Sequence, residues 1–391
     1  MKSVTLLGAT GSVGASAADI LLQQRDRFRV EAVVAADNVG ALAELAVRLR
    51  ARAAAIADGG KFRELKAGLA GTGIEALAGA EGVIETAQRP ADIVVGAIAG
   101  TAGLRPTHAA LSAGRRIALA NKECLVCAGA AFMRDAAAAG AEIMPVDSEH
   151  NAIFQALAGA PESDVEAIVL TASGGPFRTW TRERIDQAGP EDALAHPTWS
   201  MGPKITVDSA GLMNKGLELI EAHHLFRASM EKLQVLVHPQ SAVHGLVQFR
   251  DGSMSAGLAA ADMRVPMAHA LNHPDRPVLN SRRLNLAAMR SLEFFPPDLD
   301  LFPALRLVQE AIKSGGAAPT VLNAANEVAV EAFLSGRFRF GGIARLVEAT
   351  CAWAAARGWK TPASVEEALA IDDESRSWAR AHLPRVEIAA T

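Results

Sequence analysis

Residues 3–14 read Ser-Val-Thr-Leu-Leu-Gly-Ala-Thr-Gly-Ser-Val-Gly, a short apolar run that ends in three glycines at every third position, Gly8, Gly11 and Gly14. Ser3–Leu7 has strand character, and an apolar helical stretch through Asp19-Ile20-Leu21-Leu22 follows the glycines. A strand, a glycine loop and a helix in that order bring backbone N–H groups at a helix N-terminus close to a bound pyrophosphate. The spacing is GxxGxxG, not the GxGxxG of the commonest dinucleotide fingerprint, so its place at the start of a βαβ unit carries the reading.

The rest of the first third agrees with it. Short runs at Val30–Ala35, Ala53–Ala57, Ile93–Ala97, Arg116–Ala120 and Ala141–Pro145 alternate with Ala/Leu-rich helical stretches. That alternation is the pattern of a parallel α/β sheet, so residues 1–147 are expected to form a Rossmann-like dinucleotide domain. Beyond residue 148 the pattern changes to α+β, with strands expected at Val165–Thr171, Leu233–Val237, Val243–Phe249 and Ser253–Leu258. Asp251-Gly252 is the hairpin turn between the last two. Within this central region, 148–272, residues 174–203 are irregular and rich in Pro, Trp and Gly, as befits a lid. Residues 273–298 read as a linker. From 299 to 391 the apolar residues recur at helical spacing, as in Ala324–Leu334, Ile343–Ala355 and Val365–Leu369, and Ser335-Gly336 stops the first of these. The expected class is α/β, with a helical bundle as the third part.

Composition bounds the function. Half of the 391 residues are hydrophobic, and the net charge of −4 argues against a nucleic-acid surface. An anionic ligand must therefore be met by a local cationic patch. The three cysteines, Cys124, Cys127 and Cys351, make no disulfide framework, and Cys124-x-x-Cys127 has no second pair with which to hold zinc. The apolar run at the N-terminus is too short for a signal peptide and no run is long enough to span a membrane, so a cytoplasmic protein is expected.

Tyrosine is absent from the sequence, which removes the Tyr/Lys acid–base pair that many glycine-loop dehydrogenases use. Lys122, in Ala120-Asn121-Lys122-Glu123, follows a strand at the edge where open α/β sheets bind ligands. It is either a solvent-facing partner of Glu123 or a cation that polarises a carbonyl. Asp147-Ser148-Glu149-His150 follows the next strand. In extended chain Asp147 and Glu149 share a face, which suits one hard cation, while Ser148 points away. A third carboxylate is expected for such a site. In Val207-Asp208-Ser209-Ala210-Gly211-Leu212-Met213-Asn214-Lys215-Gly216-Leu217-Glu218, Asp208 or Ser209 suits an N-cap, and Asn214, Lys215 and Glu218 share a helix face. That face is either a surface salt bridge or a set of phosphate donors beside a metal carboxylate. Trp199 and Met201, between prolines in the irregular segment, fit a closing lid.

Together the motifs resemble the 1-deoxy-D-xylulose 5-phosphate reductoisomerase family. They are GATGSVG, ANKE, PVDSEHNAIFQ, TASGGPF, HPTWSMGPKITVDSAGLMNKGLE, HPQSAVHG, ADMRVPMAH and NAANEVAVEAF, in family order from Gly8 to Phe333. The resemblance implies a homodimer that uses NADPH and Mg²⁺ or Mn²⁺. The implied reaction rearranges and reduces a small phosphorylated sugar, 1-deoxy-D-xylulose 5-phosphate, to 2-C-methyl-D-erythritol 4-phosphate. It implies Asp147, Glu149 and Glu218 as metal ligands and catalytic residues, with Lys122 and Ser148 at the reacting end of the substrate. Ser173, His196, Ser209, Asn214 and Lys215 match contacts at or near the phosphate, and Trp199, Met201, His244 and Met263 match lid or pocket positions. Gly8, Thr10, Gly11, Ser12, Val13, Ala36, Asp37, Asn38, Asn121, Glu123 and Gly202 match cofactor positions. His150 is left for a structural hydrogen bond.

Three departures qualify the match. Asp37 stands where the family often has a basic or small residue, and an acid there ordinarily selects NADH by repelling a 2′-phosphate. Arg115 and Arg116 are candidates to compensate. Cys124 and Pro203 replace a serine and a basic residue. Two other readings compete: a plain NAD(P)-dependent dehydrogenase without rearrangement, and a non-catalytic dinucleotide sensor. Neither has a use for three carboxylates, so strict metal dependence separates them.

Overall fold

The computed structural model describes residues 1–199 and 201–388; Ser200, within the HPTWSMGPK motif, lies outside them. The chain forms two compact units. The first comprises residues 1–124, 132–151 and 262–282, and the second comprises 125–131, 152–261 and 283–391.

The first unit is built on seven parallel strands: β1 Lys2–Leu7, β2 Phe28–Ala35, β3 Ala53–Ile56, β4 Glu75–Ala78, β5 Ile93–Gly96, β6 Arg116–Leu119 and β7 Glu142–Pro145. Their order is β4-β3-β2-β1-β5-β6-β7, so the chain reverses direction across the sheet between β1 and β5. That reversal is the switch point at which doubly wound folds bind ligands. Val4, Leu6, Ala53, Ala54, Val94, Val95, Ile117 and Ala118 are fully buried. This is why these strands read as continuous apolar runs with no polar alternation. β4 was not expected, because Glu-Ala-Leu-Ala has no β-branched residue. It forms an edge through its ladder to β3, from Ala53↔Glu75 to Ile56↔Ala78.

The second unit contains β8 Val165–Ala172, β9 Leu233–Val237, β10 Val243–Phe249 and β11 Met254–Leu258, in the order β11-β10-β8-β9. β8 and β9 run parallel, while β10 is antiparallel to both β8 and β11. Gly252 turns the expected hairpin at φ +86°, and the Asp251 carboxylate accepts from the Ser253 N–H at 2.9 Å. Helices Pro303–Ser314, Ala318–Leu334, Gly341–Ala355 and Val365–Ile388 form the helical region, and Ser335 caps the second of them as expected. Helix Pro303–Ser314 packs Leu307 and Val308 against Met213 and Leu217 in one apolar cluster.

Three local expectations fail. Residues 174–203 are not wholly irregular: Thr181 Oγ1 accepts from the Arg184 N–H to start a short helix, Arg182–Asp186, and Pro190 opens another, Pro190–Leu194. Neither Asp208 nor Ser209 is an N-cap. Pro203 at the first helical position starts the helix Pro203–Ala210 earlier, which places both residues inside it. The following helix, Met213–Phe226, starts from Leu212 in the left-handed region with no side-chain cap. Finally, Asp147-Ser148-Glu149 is not extended. Ser148 begins the helix Ser148–Leu157, and the Asp147 carboxylate accepts from the Glu149 N–H at 3.2 Å, as a helix-capping acid does.

Candidate active site

In the first unit the glycine loop is held by backbone contacts that leave no room for a side chain at Gly8 or Gly14. Gly8 (φ +86°) and Ala9 donate to the Val34 carbonyl at 3.0 and 2.7 Å, which ties the loop to the end of β2. A Cβ on Gly8 would lie 2.4 Å from the Ala97 carbonyl oxygen, and one on Gly14 would lie 2.1 Å from that of Gly8. Gly11 occupies the N-cap of helix Ser12–Gln23, with no side chain capping it and no acid in the first turn. The first N–H groups of that helix are therefore open to an anion, and Thr10, Gly11 and Ser12 are exposed while Val13 is half-buried.

At the end of β2, Ala36, Asp37 and Asn38 are exposed, and Asn38 caps the next helix by accepting from the Ala41 N–H at 3.1 Å. Arg115 and Arg116 do not reach Asp37. Arg115 donates to the carbonyls of Ala87, Arg89, Ala91 and Ala110. Arg116 pairs with Glu142 at 2.8 Å and with the Ala270 and His273 carbonyls. The cation at this corner is instead Lys61, whose Nζ donates to the Asp37 carbonyl oxygen at 2.7 Å. The sequence reading did not single it out. Its only sequence signal is its place just past the carboxyl end of β3, the strand next to β2.

Asn121 is buried and committed to the protein. Its Nδ2 donates to the carbonyls of Ile98 and Gly100 at 2.5 and 2.8 Å, and its Oδ1 accepts from the Cys124 N–H at 2.9 Å. It thus fixes the loop after β5 to the start of helix Glu123–Ala139, whose first residue, Glu123, is also buried. Lys122 is buried, not a solvent-facing helix-start lysine, and its Nζ lies 3.6 Å from Asp147 Oδ2. β6 and β7 are neighbours, so the turns after them present Lys122 and Asp147 at one sheet edge. Ser148 Oγ donates to Glu149 Oε2 at 2.5 Å. His150 is fully buried, with Nδ1 at 3.5 Å from Asp147 Oδ1. Asp147, Ser148 and Glu149 remain partly accessible. Met263, half-buried, precedes the helix Arg264–Asn272 of this unit.

In the second unit, β8 ends in Ser173-Gly174-Gly175, where both glycines have positive φ, +83° and +63°. That turn lets the Ser173 hydroxyl accept from the Gly175 N–H at 3.1 Å. His196 Nε2 lies 3.0 Å from the same oxygen. His196 Nδ1 accepts from the N–H groups of Thr198 and Trp199 at 3.2 and 2.9 Å, so in the neutral ring the proton sits on Nε2 and is donated to Ser173. Burial also pushes the His196 pKa down, which keeps the ring neutral. Ser173 Oγ thus accepts twice, and its own proton is left for a ligand oxygen.

Lys215 and Glu218 are almost wholly buried. Lys215 Nζ donates to Glu218 Oε2, and Asn214 Nδ2 donates to Glu218 Oε1 at 2.5 Å. The Lys215–Glu218 pair is therefore a buried ion pair, not a surface one. Ser209 is half-buried on helix Pro203–Ala210, where the buried Asp208 accepts from Asn326 at 2.8 Å and pairs with Lys204 at 3.0 Å. Trp199 and His244 meet edge to face, with centroids 6.1 Å apart, and His244 Nε2 lies 3.2 Å from the Ala259 carbonyl oxygen. Met201 and Gly202 are half-buried just before that helix.

Comparison with known proteins agrees with the residues. Residues 4–129 match the family model described as 1-deoxy-D-xylulose 5-phosphate reductoisomerase, and residues 143–226 match that described as its C-terminal domain. A DXP reductoisomerase C-terminal domain model matches residues 258–378. The 1-deoxy-D-xylulose 5-phosphate reductoisomerase of Afipia carboxidovorans is 56% identical over 391 residues, covering 100% of this chain and 96% of that protein. The enzyme from Zymomonas mobilis, solved in complex with NADPH, superimposes with a TM-score of 0.91 at 46% identity, covering 98% of this chain and 99% of that one. A DOX-P reductoisomerase solved with NADPH, fosmidomycin and magnesium gives 0.93 at 40% identity, over 98% of each chain. With matching models along most of its length and full-length relatives above half identity, the chain belongs to the 1-deoxy-D-xylulose 5-phosphate reductoisomerase family.

Proposed function

We propose that this chain converts 1-deoxy-D-xylulose 5-phosphate to 2-C-methyl-D-erythritol 4-phosphate, with NADPH as reductant and a divalent cation, Mg²⁺ or Mn²⁺, as cofactor. The observation that carries the reading is 56% identity across the whole chain to an enzyme of that name, with the family motifs in place.

The residues present fit both cofactors. The loop at Gly8 and Gly14 tolerates no side chain and faces the open N–H groups of helix Ser12–Gln23, which suits a pyrophosphate. Asp147, Glu149 and Glu218 are three hard oxygen donors, the donor set that Mg²⁺ and Mn²⁺ accept. When bound, the cation supplies Lewis-acid polarisation of the substrate's carbonyl and hydroxyl oxygens, and NADPH supplies the hydride. Lys122, held beside Asp147, is assigned to the reacting end, where an ammonium stabilises developing negative charge on oxygen. Ser148 is assigned to the same end. Ser173, with its free proton, is assigned to the remote phosphate together with Ser209, Asn214 and Lys215. Their binding energy orients the reacting end. Trp199, Met201, His244 and Met263 are assigned to the cover that excludes water.

A homodimer is part of the proposal. β11 is the edge of its sheet, and it leaves Met254 and Leu258 54% and 42% exposed, a poor arrangement for a strand left in water. Light scattering after size-exclusion chromatography tests it. The division into domains 1–147, 148–272 and 299–391 with a linker between is tested by limited proteolysis, with cuts expected in 273–298. A cytoplasmic location is also proposed, since all three cysteines are free thiols. Among the described residues no helix is long and apolar enough to cross a membrane.

The deciding experiment is NADPH oxidation with 1-deoxy-D-xylulose 5-phosphate, with and without Mg²⁺ or Mn²⁺. Turnover that requires both substrate and metal is expected. Full turnover after chelation would favour a plain dehydrogenase, and binding of NADPH without turnover would favour a sensor.

A further inference from the structure

The second unit holds a cavity of about 210 Å³ that no role assigned above uses. One part of its wall is apolar: Ile185, Val207, Phe302, Phe340 and Ile343 line it, and all are buried. Three arginines, three carboxylates and Asn326 also line it, and most of these polar groups are already committed. Arg182 is bound to Asp186 at 3.1 Å, Arg306 pairs with Glu310 at 2.8 Å and approaches Glu348 at 3.7 Å, and Asp208 is held by Lys204 and Asn326. Arg345 is the exception. Its side chain lines the cavity half-buried, no carboxylate lies within ion-pair distance, and its Nε is buried with no hydrogen-bond acceptor among the described residues.

A guanidinium that is partly desolvated and unpaired is costly, and it recovers that cost by binding a planar anion through its parallel N–H groups. The volume limits the rest of the ligand. An apolar cavity of about 150 Å³ takes benzene, so this one holds a single ring or a branched chain of similar size, not a nucleotide or a sugar bisphosphate. We infer that this cavity is a second ligand site, for a small monocarboxylate with one aromatic or branched aliphatic body. The carboxylate meets Arg345 and the body is buried among Phe302, Phe340 and Ile343. The site is built on the back of the segment that carries Ser209, since Val207 and Gly211 belong to its wall.

The test uses phenylacetate as the probe, titrated into the full-length chain by calorimetry and by ligand-observed NMR. Saturable binding is expected, with 2-phenylethanol, which lacks the charge, and acetate, which lacks the ring, each about tenfold weaker or worse. Arg345→Met should weaken phenylacetate about tenfold while leaving 2-phenylethanol unchanged. Ala344→Phe, which places a ring in the cavity, should abolish both. A crystal soaked with the probe should show the ring between Phe302 and Phe340. No saturable binding of phenylacetate to the unaltered chain up to ~10 mM would overturn the inference. So would binding that both substitutions leave unchanged, provided each variant melts within a few degrees of the parent.

Discussion

The glycine loop offers the most exacting test of how the first unit holds its cofactor, and Gly14→Ala is the perturbation to make. Gly14 has helical backbone angles, so the new methyl group costs nothing in conformation and everything in space. It would lie 2.1 Å from the Gly8 carbonyl oxygen and 2.8 Å from two backbone atoms of Ala9. Relief requires the loop and the helix to part by about 1 Å, since carbon and oxygen settle above about 3 Å. The loop cannot move freely, because Gly8 and Ala9 are bonded to the Val34 carbonyl at 3.0 and 2.7 Å. Losing one of those bonds costs about 1 kcal/mol, and overpacking adds about 1–3 kcal/mol, for a total of about 2–4 kcal/mol of stability. The same shift turns the helix-start N–H groups away from the pyrophosphate. Two weakened charge-assisted bonds correspond to about 3 kcal/mol, or about a hundredfold in the NADPH dissociation constant. Fluorescence titration with NADPH and a thermal melt read the two effects. Gly40→Ala is the control, since a Cβ there meets nothing within 4 Å, and it should bind normally. If Gly14→Ala binds NADPH within threefold of the parent and melts at the same temperature, the steric account of the cradle is wrong.

Other expectations follow from single sites. Asp147→Asn or Glu218→Gln should lower kcat by a hundredfold or more with NADPH affinity within about threefold of the parent; near-normal turnover in both would sink the metal assignment. On the proposed assignment of Asp37 to the cofactor's ribose end, Asp37→Lys should raise the NADPH/NADH binding ratio by roughly tenfold, and Lys61→Met should lower it about fivefold, as expected for charges near a 2′-phosphate in exposed, screened surroundings. Equal effects on both nucleotides would show that neither charge reads the phosphate. His224 is largely buried, and that burial, with the nearby His223, pushes its pKa from 6.5 down to about 4. Because the folded pKa is depressed, the unfolded chain binds the proton first. Stability is then fully present above about pH 6.5 and falls by roughly 2–3 kcal/mol as the pH drops towards 4. Urea unfolding of the parent and of His224→Leu across that window should show a shallower slope in the variant; parallel slopes would remove His224 as the cause.

Much of the candidate site was legible because the residues that form it repeat the chemistry locally. The order of apolar runs and glycines determined the parallel sheet, the cradle and the edge at which Lys122 and Asp147 emerge. Strand periodicity and glycine geometry are properties of adjacent residues, so a linear reading captures them. The carboxylates of Asp147, Glu149 and Glu218 were legible by type, and their assignment to one cation rests on the family, whose full-length members this chain resembles.

Tertiary structure decided what depends on neighbours distant in sequence. Sequence alone left Lys122 undecided between a solvent-facing position and a buried one; the packed chain buries it next to Asp147. Arg115 and Arg116 looked able to answer Asp37, yet backbone carbonyls and Glu142 claim them, and Lys61 arrives from the next strand. The two partners of Ser173 Oγ, the Gly175 N–H and the His196 ring, come together through two glycines with positive φ and a residue 23 positions away. An N-cap at Asp208 was reasonable until Pro203 started the helix earlier and drew Asp208 inside, against Asn326 more than a hundred residues away. In each case the deciding quantity is a hydrogen-bond count or a loss of solvent. Both belong to the packed chain and not to any stretch of it.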